Sequence, residues 1–170
     1  TVMLALQMGV ARGIFSNEAG LGSAAIAHAA ADTDGPVHQG VFGIFEVFVD
    51  TIVICSLTGL CLVVTGAWCV PGLAGFRITE QAWRTALPWP AGLSSFLLLA
   101  CLVFFAFSTI IGWNFYGEQC LRYLTGGSQR AQRLYRWCYL AALCTAPLLS
   151  VKAAWELADI LNACMALPNL

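Results

Sequence analysis

Charged residues are scarce in this sequence, and their scarcity excludes several classes of protein. They make up 10% of the 170 residues, whereas about a quarter of the residues in soluble domains are charged. Because 59% of the residues are hydrophobic, we expect an integral membrane protein in contact with the lipid bilayer. The net charge of −1 argues against a nucleic-acid partner, whose binding needs clustered positive charge.

The cysteines also lack the spacing of a metal or redox site. The sequence has no C-x-x-C pair, and no histidine stands at zinc-ligand spacing from a cysteine. Most of the cysteines lie inside apolar runs, where a thiol behaves as a small hydrophobic side chain. We therefore expect a packing role for them. They are Cys55, Cys61, Cys69, Cys101, Cys120, Cys138, Cys144 and Cys164.

Long apolar runs predict an all-α membrane protein with about four transmembrane helices. A run of about 20 apolar residues is the length that crosses the hydrocarbon core of a bilayer. The predicted spans are residues 41–66, 93–121, 133–150 and the start of a last span at 153–170.

The loops between these spans predict the orientation in the membrane. Residues 122–136 contain four arginines and no acid, which places the loop 122–132 on the cytoplasmic side by the positive-inside rule. Residues 67–92 are then an outer loop, with a short interfacial helix at 78–83. The four arginines are Arg122, Arg130, Arg133 and Arg136.

The first 34 residues are predicted to form a broken element on the cytoplasmic side. They are rich in glycine, alanine and small polar residues and contain no long lipid-facing run. Ser16 is predicted to cap a helix that starts near Asn17, and Gly20 and Gly22 to interrupt it.

Two acids, Glu46 and Asp50, interrupt the first apolar span at i,i+4 spacing. On an α-helix they share one face, and that face is expected to point towards protein or water because a carboxylate in lipid is costly. One interpretation is an intramembrane enzyme that uses both acids as catalysts. The other is that they hydrogen-bond neighbouring helices or line an inner vestibule, which we favour for Glu46 while Asp50 stays open.

The span 93–121 carries a polar stripe at helical spacing. Its hydroxyls offer neutral oxygens that can replace water on a hard cation. Serine, threonine and glycine are also common where membrane helices pack, and these residue types alone favour packing over a binding site. The stripe consists of Phe105, Ser108, Thr109, Gly112, Trp113 and Tyr116.

Four blocks of sequence together resemble the alanine or glycine:cation symporter family. They occur in the order of that family and cover nearly the whole chain. The blocks are residues 9–23 (GVARGIFSNEAGLGS), 36–58, 105–118 (FAFSTIIGWNFYGE) and 155–170, which ends in MALPNL.

The resemblance implies a fold similar to the leucine-transporter type of inverted repeat, with substrate and sodium near the bilayer midplane. The chain is then expected to be a fragment, roughly the second repeat, that works with the remainder of the transporter chain. The implied function is sodium-coupled symport of a small neutral amino acid, alanine or glycine, by alternating access. The implied location is the cell inner (plasma) membrane, with several spans and with no enzymatic activity and no cofactor besides Na⁺.

The resemblance also implies roles for individual residues, and it reverses the preference for packing on the span 93–121. Ser108, Thr109 and the backbone carbonyl of Phe105 are expected to bind sodium, and Thr109 and Trp113 to contact the substrate. A gate or helix-break signature is expected at Ser16, Asn17, Glu18, Gly20, Gly22 and Asp50. The exact substrate and the choice between sodium and proton stay open.

Overall fold

The structure, a computed structural model, describes residues 2–18 and 20–169, and in that part of the chain helices joined by turns and loops are the regular secondary structure. These residues form two compact units: Pro36–Thr109, and the residues up to Gly35 together with those from Ile110 onward. The α-helices are α1 Val2–Ser16, α2 Ala24–His28, α3 Pro36–Val47, α4 Ser56–Thr65, α5 Phe76–Ala86, α6 Ala91–Leu124, α7 Gln129–Thr145 and α8 Val151–Ala166. A π-helix, Phe48–Cys55, joins α3 to α4, and short 3₁₀ turns follow α4, α7 and α8.

Two helical stretches in the described residues are long and apolar enough to cross a membrane, Pro36–Thr65 and Ala91–Leu124. Their apolar side chains are exposed, as with Val64 at 83% and Phe104 at 75%. Water is a poor solvent for this much apolar surface, so lipid or further protein has to cover it. The prediction of an all-helical membrane protein is confirmed at this level.

The predicted spans 133–150 and 153–170 correspond to α7 and α8, which have 17 and 16 residues. Their assignment as spans stays a prediction. The predicted elements 1–34 and 153–170 also include Thr1, Ala19 and Leu170, which lie outside the described residues.

Two local predictions were wrong. Ser16 is the last residue of α1 and not the cap of a new helix, because the helix from Val2 continues to it. The arginine-rich stretch 122–136 is mostly helical: α6 continues to Leu124 and α7 begins at Gln129. The turn between α6 and α7 includes Gly126 and Gly127, whose positive φ angles of 61° and 86° favour glycine.

The unit Pro36–Thr109 has a small core where α5 packs against α4. Gly66 ends α4 in the left-handed conformation, which turns the chain. Ala67, Ala82 and Ser94 are buried to 2% exposure or less. The hydroxyl of Ser95 donates a hydrogen bond to Glu80 Oε1 over 2.7 Å, which ties the start of α6 to α5.

The second unit contains α1, α8 and the hairpin of α6 and α7. Arg12 of α1 pairs with Asp159 of α8 over 2.9 Å. Glu118 of α6 pairs with Arg136 of α7. Ser150 caps α8 by accepting a hydrogen bond from the backbone N–H of Ala153 over 3.2 Å.

The packing of α5 predicts that Ala82→Leu destabilises the full-length protein. Ala82 is completely buried, so a larger side chain has to displace its neighbours, which typically costs about 1–3 kcal/mol. Ala86→Leu on the same helix is the matched control because Ala86 is exposed. We expect a lower thermal-unfolding midpoint in detergent for Ala82→Leu alone, and equal midpoints for the two variants would contradict this packing.

Candidate functional site

The three predicted sodium-binding groups lie together on α6. The hydroxyls of Ser108 and Thr109 both donate to the backbone carbonyl oxygen of Phe105, each over 2.9 Å. The i−3 and i−4 spacings bring both side chains back to one carbonyl one turn earlier, as is usual for serine and threonine in helices. The structure therefore places two hydroxyl oxygens within hydrogen-bonding distance of one carbonyl oxygen.

This oxygen cluster has two physical interpretations. A sodium ion takes neutral oxygen ligands, and a hydroxyl that donates one hydrogen bond keeps lone pairs for a cation. Back-bonded hydroxyls are also the ordinary way in which membrane helices satisfy serine and threonine. Ser108 and Thr109 are exposed on α6, so any further ligands have to come from another element. The assignment as a sodium site stays a prediction.

Trp113 follows one turn later on α6 and is half-buried. Its ring meets Tyr116 edge to face, with ring centroids 5.7 Å apart. A Cβ added at the neighbouring Gly112 would meet no heavy atom within 4 Å among the described residues. The contact of Trp113 with a substrate stays a prediction.

The residues of the predicted helix-break signature other than Asp50 lie at the end of α1 and in the turn that follows it. Glu18 adopts the left-handed conformation at φ 51°, which costs a side-chain-bearing residue about 1–2 kcal/mol. Its carboxylate accepts a hydrogen bond of 2.7 Å from Ser23, which is buried. Asn17 closes the end of α1 through its side-chain N–H to the carbonyl of Gly13 over 3.1 Å.

Gly20 and Gly22 have φ angles of 75° and 76°, in the region that favours glycine. The helix that they were predicted to interrupt does not form, because α1 already ends at Ser16, before both glycines. A role of this turn as a gate stays a prediction.

Asp50 lies in the π-helix at the middle of the apolar stretch Pro36–Thr65. The hydrogen bonds of a π-helix run from i to i+5, so the i,i+4 alignment expected for Glu46 and Asp50 on an α-helix does not apply across it. Asp50 is half-buried whereas Glu46 is exposed, so the two acids differ in their surroundings. The π-helix was not predicted, because a change of hydrogen-bond register within a continuous apolar stretch has no signature in residue type.

Arg12 and Asp159 form a contact that sequence reasoning missed. Arg12 Nη1 and Nη2 approach the two carboxylate oxygens of Asp159 at 2.9 and 3.5 Å. The guanidinium also lies 3.8 Å from the ring centroid of Trp155, and Phe15 meets that ring edge to face at 5.6 Å. Both partners lie within blocks that carried the family resemblance, which is the signal that could have found the pair.

In residues 2–18 and 20–169 no group of three or more histidine, cysteine or acidic side chains is arranged to hold a metal ion.

Comparison with known proteins gives a family for the whole chain. The model of the sodium:alanine symporter family matches residues 1–170. The chain is 49% identical over its full length to an uncharacterized transporter of Haemophilus influenzae. It is 43% identical over 98% of its length to the sodium/alanine symporter AgcS of Methanococcus maripaludis, and 38% identical over 98% to the probable sodium/glutamine symporter GlnT of Bacillus subtilis.

The chain spans about a third of the length of these relatives: 36% of the first two and 34% of the third. No solved structure matches it. The matched family is one of transporters, so the interpretation of the chain as a non-enzyme is supported and the alternative of an intramembrane enzyme at Glu46 and Asp50 is set aside.

The contacts of Arg12 predict an energetic coupling between α1 and α8. In the full-length protein, we compare single and double variants of Arg12→Gln and Asp159→Asn by thermal unfolding. We expect a coupling of about 1 kcal/mol, because a paired guanidinium stacked on an indole adds a cation–π contribution to an exposed ion pair.

The control for this cycle is Lys152→Gln with Glu156→Gln, an exposed pair at 3.8 Å on α8. Such an i,i+4 pair contributes about 0.5 kcal/mol or less. A coupling at Arg12 no larger than that at Lys152 would show that the α1–α8 contact adds nothing beyond a surface ion pair.

Proposed function

The chain belongs to the sodium:alanine symporter family, and from this premise we propose that the full-length protein carries a small neutral amino acid across the membrane together with sodium. The observation that carries the proposal on this chain is the convergence of the Ser108 and Thr109 hydroxyls on the carbonyl of Phe105. Three neutral oxygens on an apolar helix suit a singly charged hard cation, which needs several oxygens and no negative charge to be held reversibly.

The proposed mechanism is alternating access, in which sodium and the amino acid bind the same state and stabilise each other's site. Such a coupling is reciprocal: if sodium raises the affinity for the amino acid, the amino acid raises the affinity for sodium by the same factor. The proposed fold is the leucine-transporter type of inverted repeat, in which ion and substrate bind near the midplane. Phe105, Ser108 and Thr109 are the proposed ion ligands from this chain.

Trp113 is proposed to form one side of the substrate site. An indole beside the open space at Gly112 limits the volume available to a side chain and adds a flat apolar surface. Alanine is the substrate favoured here because of the name of AgcS, while the name of GlnT makes glutamine the competing candidate. The volume next to Trp113 is therefore expected to decide between small and larger amino acids.

The proposed location is the cell inner membrane, with several spans and with the turn between α6 and α7 in the cytoplasm. Arg122 at the end of α6 and Arg130, Arg133 and Arg136 on α7 lie near this turn and support the orientation by the positive-inside rule. The turn after α1 that contains Glu18 is then on the cytoplasmic side and is proposed as part of a gate, as is Asp50.

The sodium assignment predicts that Thr109→Val in the full-length protein raises the sodium concentration for half-maximal alanine uptake. We expect an increase of about tenfold or more, since an interaction with a charged group is worth about 1.5–3 kcal/mol. Thr109→Ser keeps the hydroxyl and is expected to remain close to the wild type.

The matched control is Thr58→Val, because Thr58 is also a back-bonded threonine in an apolar helix, donating to Ile54 over 2.9 Å. It removes the same atoms away from the proposed site and is expected to leave the sodium midpoint unchanged. An unchanged midpoint in Thr109→Val would remove Thr109 from the ligand set.

The substrate assignment predicts that Trp113→Leu shifts the preference towards larger amino acids. A hydrophobic pocket distinguishes one methylene by about 1–3 kcal/mol, so we expect a partial shift of about tenfold in relative kcat/KM. Uptake per folded transporter is measured for glycine, alanine, leucine and glutamine. Trp68→Leu is the control because Trp68 is 63% exposed, and an unchanged ranking in Trp113→Leu would refute the assignment.

A further inference from the structure

Helix α7 contacts the second half of α6 at three levels. The hydroxyl of Tyr139 donates to the backbone carbonyl of Ile110 over 2.8 Å. Tyr135 packs against Gly117, and Arg136 pairs with Glu118. Tyr135 and Tyr139 are four residues apart and therefore share one face of α7, with their ring centroids 5.9 Å apart.

The contact at Gly117 favours glycine. A Cβ placed on Gly117 would overlap the phenol ring and hydroxyl of Tyr135, so the Tyr135 side chain rests directly on the α6 backbone at this point. Gly92, on the same helix, has no heavy atom within 4 Å of such a Cβ among the described residues. The close approach is therefore local to the hairpin and does not extend along α6.

The contact at Glu118 is directional. Arg136 donates through Nε to one carboxylate oxygen and through Nη2 to the other, the second over 3.0 Å. Asn114 adds a third donor over 3.2 Å. The side chain of Glu118 is 18% exposed although that of Arg136 is 60% exposed. A two-pronged guanidinium–carboxylate pair fixes relative orientation more strictly than a point charge does.

These contacts define one stripe of α6. Ile110, Asn114, Gly117 and Glu118 follow the i, i+4, i+7, i+8 spacing of a single helical face. Trp113 follows Ile110 by three residues and precedes Gly117 by four, so at 100° per residue it lies about 60° from Ile110 and about 40° from Gly117 around the helix axis. Helix α7 therefore contacts the part of the α6 surface that is next to Trp113.

Two of the contacts are made with the backbone of α6 and not with its side chains. Tyr139 binds the carbonyl of Ile110, three residues before Trp113, and Tyr135 rests on Gly117, four residues after it. Restraints on the backbone on both sides of a residue fix the rotation of the helix about its axis. The direction of the Trp113 side chain follows from that rotation.

We propose that Tyr139, together with Tyr135 and Arg136, positions Trp113 and thereby sets the affinity for the transported amino acid. This inference rests on the proposed function, because it gives Trp113 a substrate to contact. Tyr139 is a positioning residue: its hydroxyl binds the Ile110 carbonyl and acts on the substrate through α6.

The first test compares Tyr139→Phe with Tyr123→Phe in the full-length transporter reconstituted in vesicles. Both substitutions delete one hydroxyl, but Tyr123 is 88% exposed at the end of α6. At saturating sodium, we expect Tyr139→Phe to raise the KM for alanine about three- to tenfold, with kcat per folded transporter within about twofold of the wild type. Tyr123→Phe is expected to leave both constants unchanged.

Gly117→Ala and Gly92→Ala extend this comparison. Alanine favours an α-helix over glycine by about 1 kcal/mol, so Gly92→Ala is expected to be neutral or stabilising. Gly117→Ala has to push Tyr135 away and is expected to raise the KM for alanine in the same direction as Tyr139→Phe. A purely structural role predicts less folded protein with an unchanged KM, and that result would overturn the proposal.

A second readout does not depend on transport. In a cysteine-free full-length background that carries Trp113→Cys, the rate of thiol labelling at position 113 is measured with Tyr139→Phe or Tyr123→Phe. We expect Tyr139→Phe alone to change the rate about threefold or more, since rotation of α6 changes the surroundings of this position. Equal rates in the two variants would overturn the positioning role.

The two readouts separate the possible failures. If the wild-type protein takes up no alanine in a sodium gradient, the proposed function fails, and the labelling rates still decide whether α7 orients α6. If the wild type transports but Tyr139→Phe behaves like Tyr123→Phe in both readouts, the proposed function stands and the role of Tyr139 is refuted.

Discussion

Hydrogen bonding inside hydrocarbon is the constraint on which the rest of this structure depends. A polar group in the bilayer core has no water to bind, so backbone and side-chain groups have to pair within the protein. Ser108 and Thr109 satisfy this requirement by sharing the carbonyl of Phe105. The same arrangement suits a cation site, because hydroxyls held beside a carbonyl in an apolar setting face little competition from water when an ion arrives.

Polar contacts also connect helices that are far apart in sequence. Arg12 and Asp159 are separated by 147 residues, and Glu118 and Arg136 by 18. Membrane helices gain little from apolar burial against each other, since lipid tails are equally apolar, so close packing and hydrogen bonds carry more of the specificity. The hairpin of α6 and α7 uses both, with the contact of Tyr135 on Gly117 beside the two-pronged ion pair of Arg136 and Glu118.

Part of this structure was predictable from sequence because the signals are local. The length and apolarity of the two long helical stretches predicted them. Ser16 misled because serine is favoured as an N-cap, yet the preceding residues already form a helix that runs to it. The π-helix that contains Asp50 could not be predicted from the sequence, because the hydrogen-bond register of a helix does not change its composition.

The residues of the candidate site also divide into those with a local signal in the sequence and those without one. Helical spacing placed Ser108 and Thr109 on one stripe of α6, and their common acceptor at Phe105 follows from the geometry of a single turn. The ion pair of Arg12 and Asp159 has no local signal in the sequence, because it joins two separate helices. The same is true of the hydrogen bond from Tyr139 to the carbonyl of Ile110. Only the tertiary structure brings such residues together, and the sequence alone therefore did not predict these contacts.

The most direct test of the central claim is alanine uptake by the full-length protein reconstituted in vesicles with imposed ion gradients. The account predicts that an inward sodium gradient drives accumulation of alanine above its external concentration, and that a sodium ionophore abolishes the accumulation. A proton gradient of the same size without sodium is expected to drive none. Alanine accumulation that is independent of sodium, or driven equally by the proton gradient alone, would contradict sodium coupling.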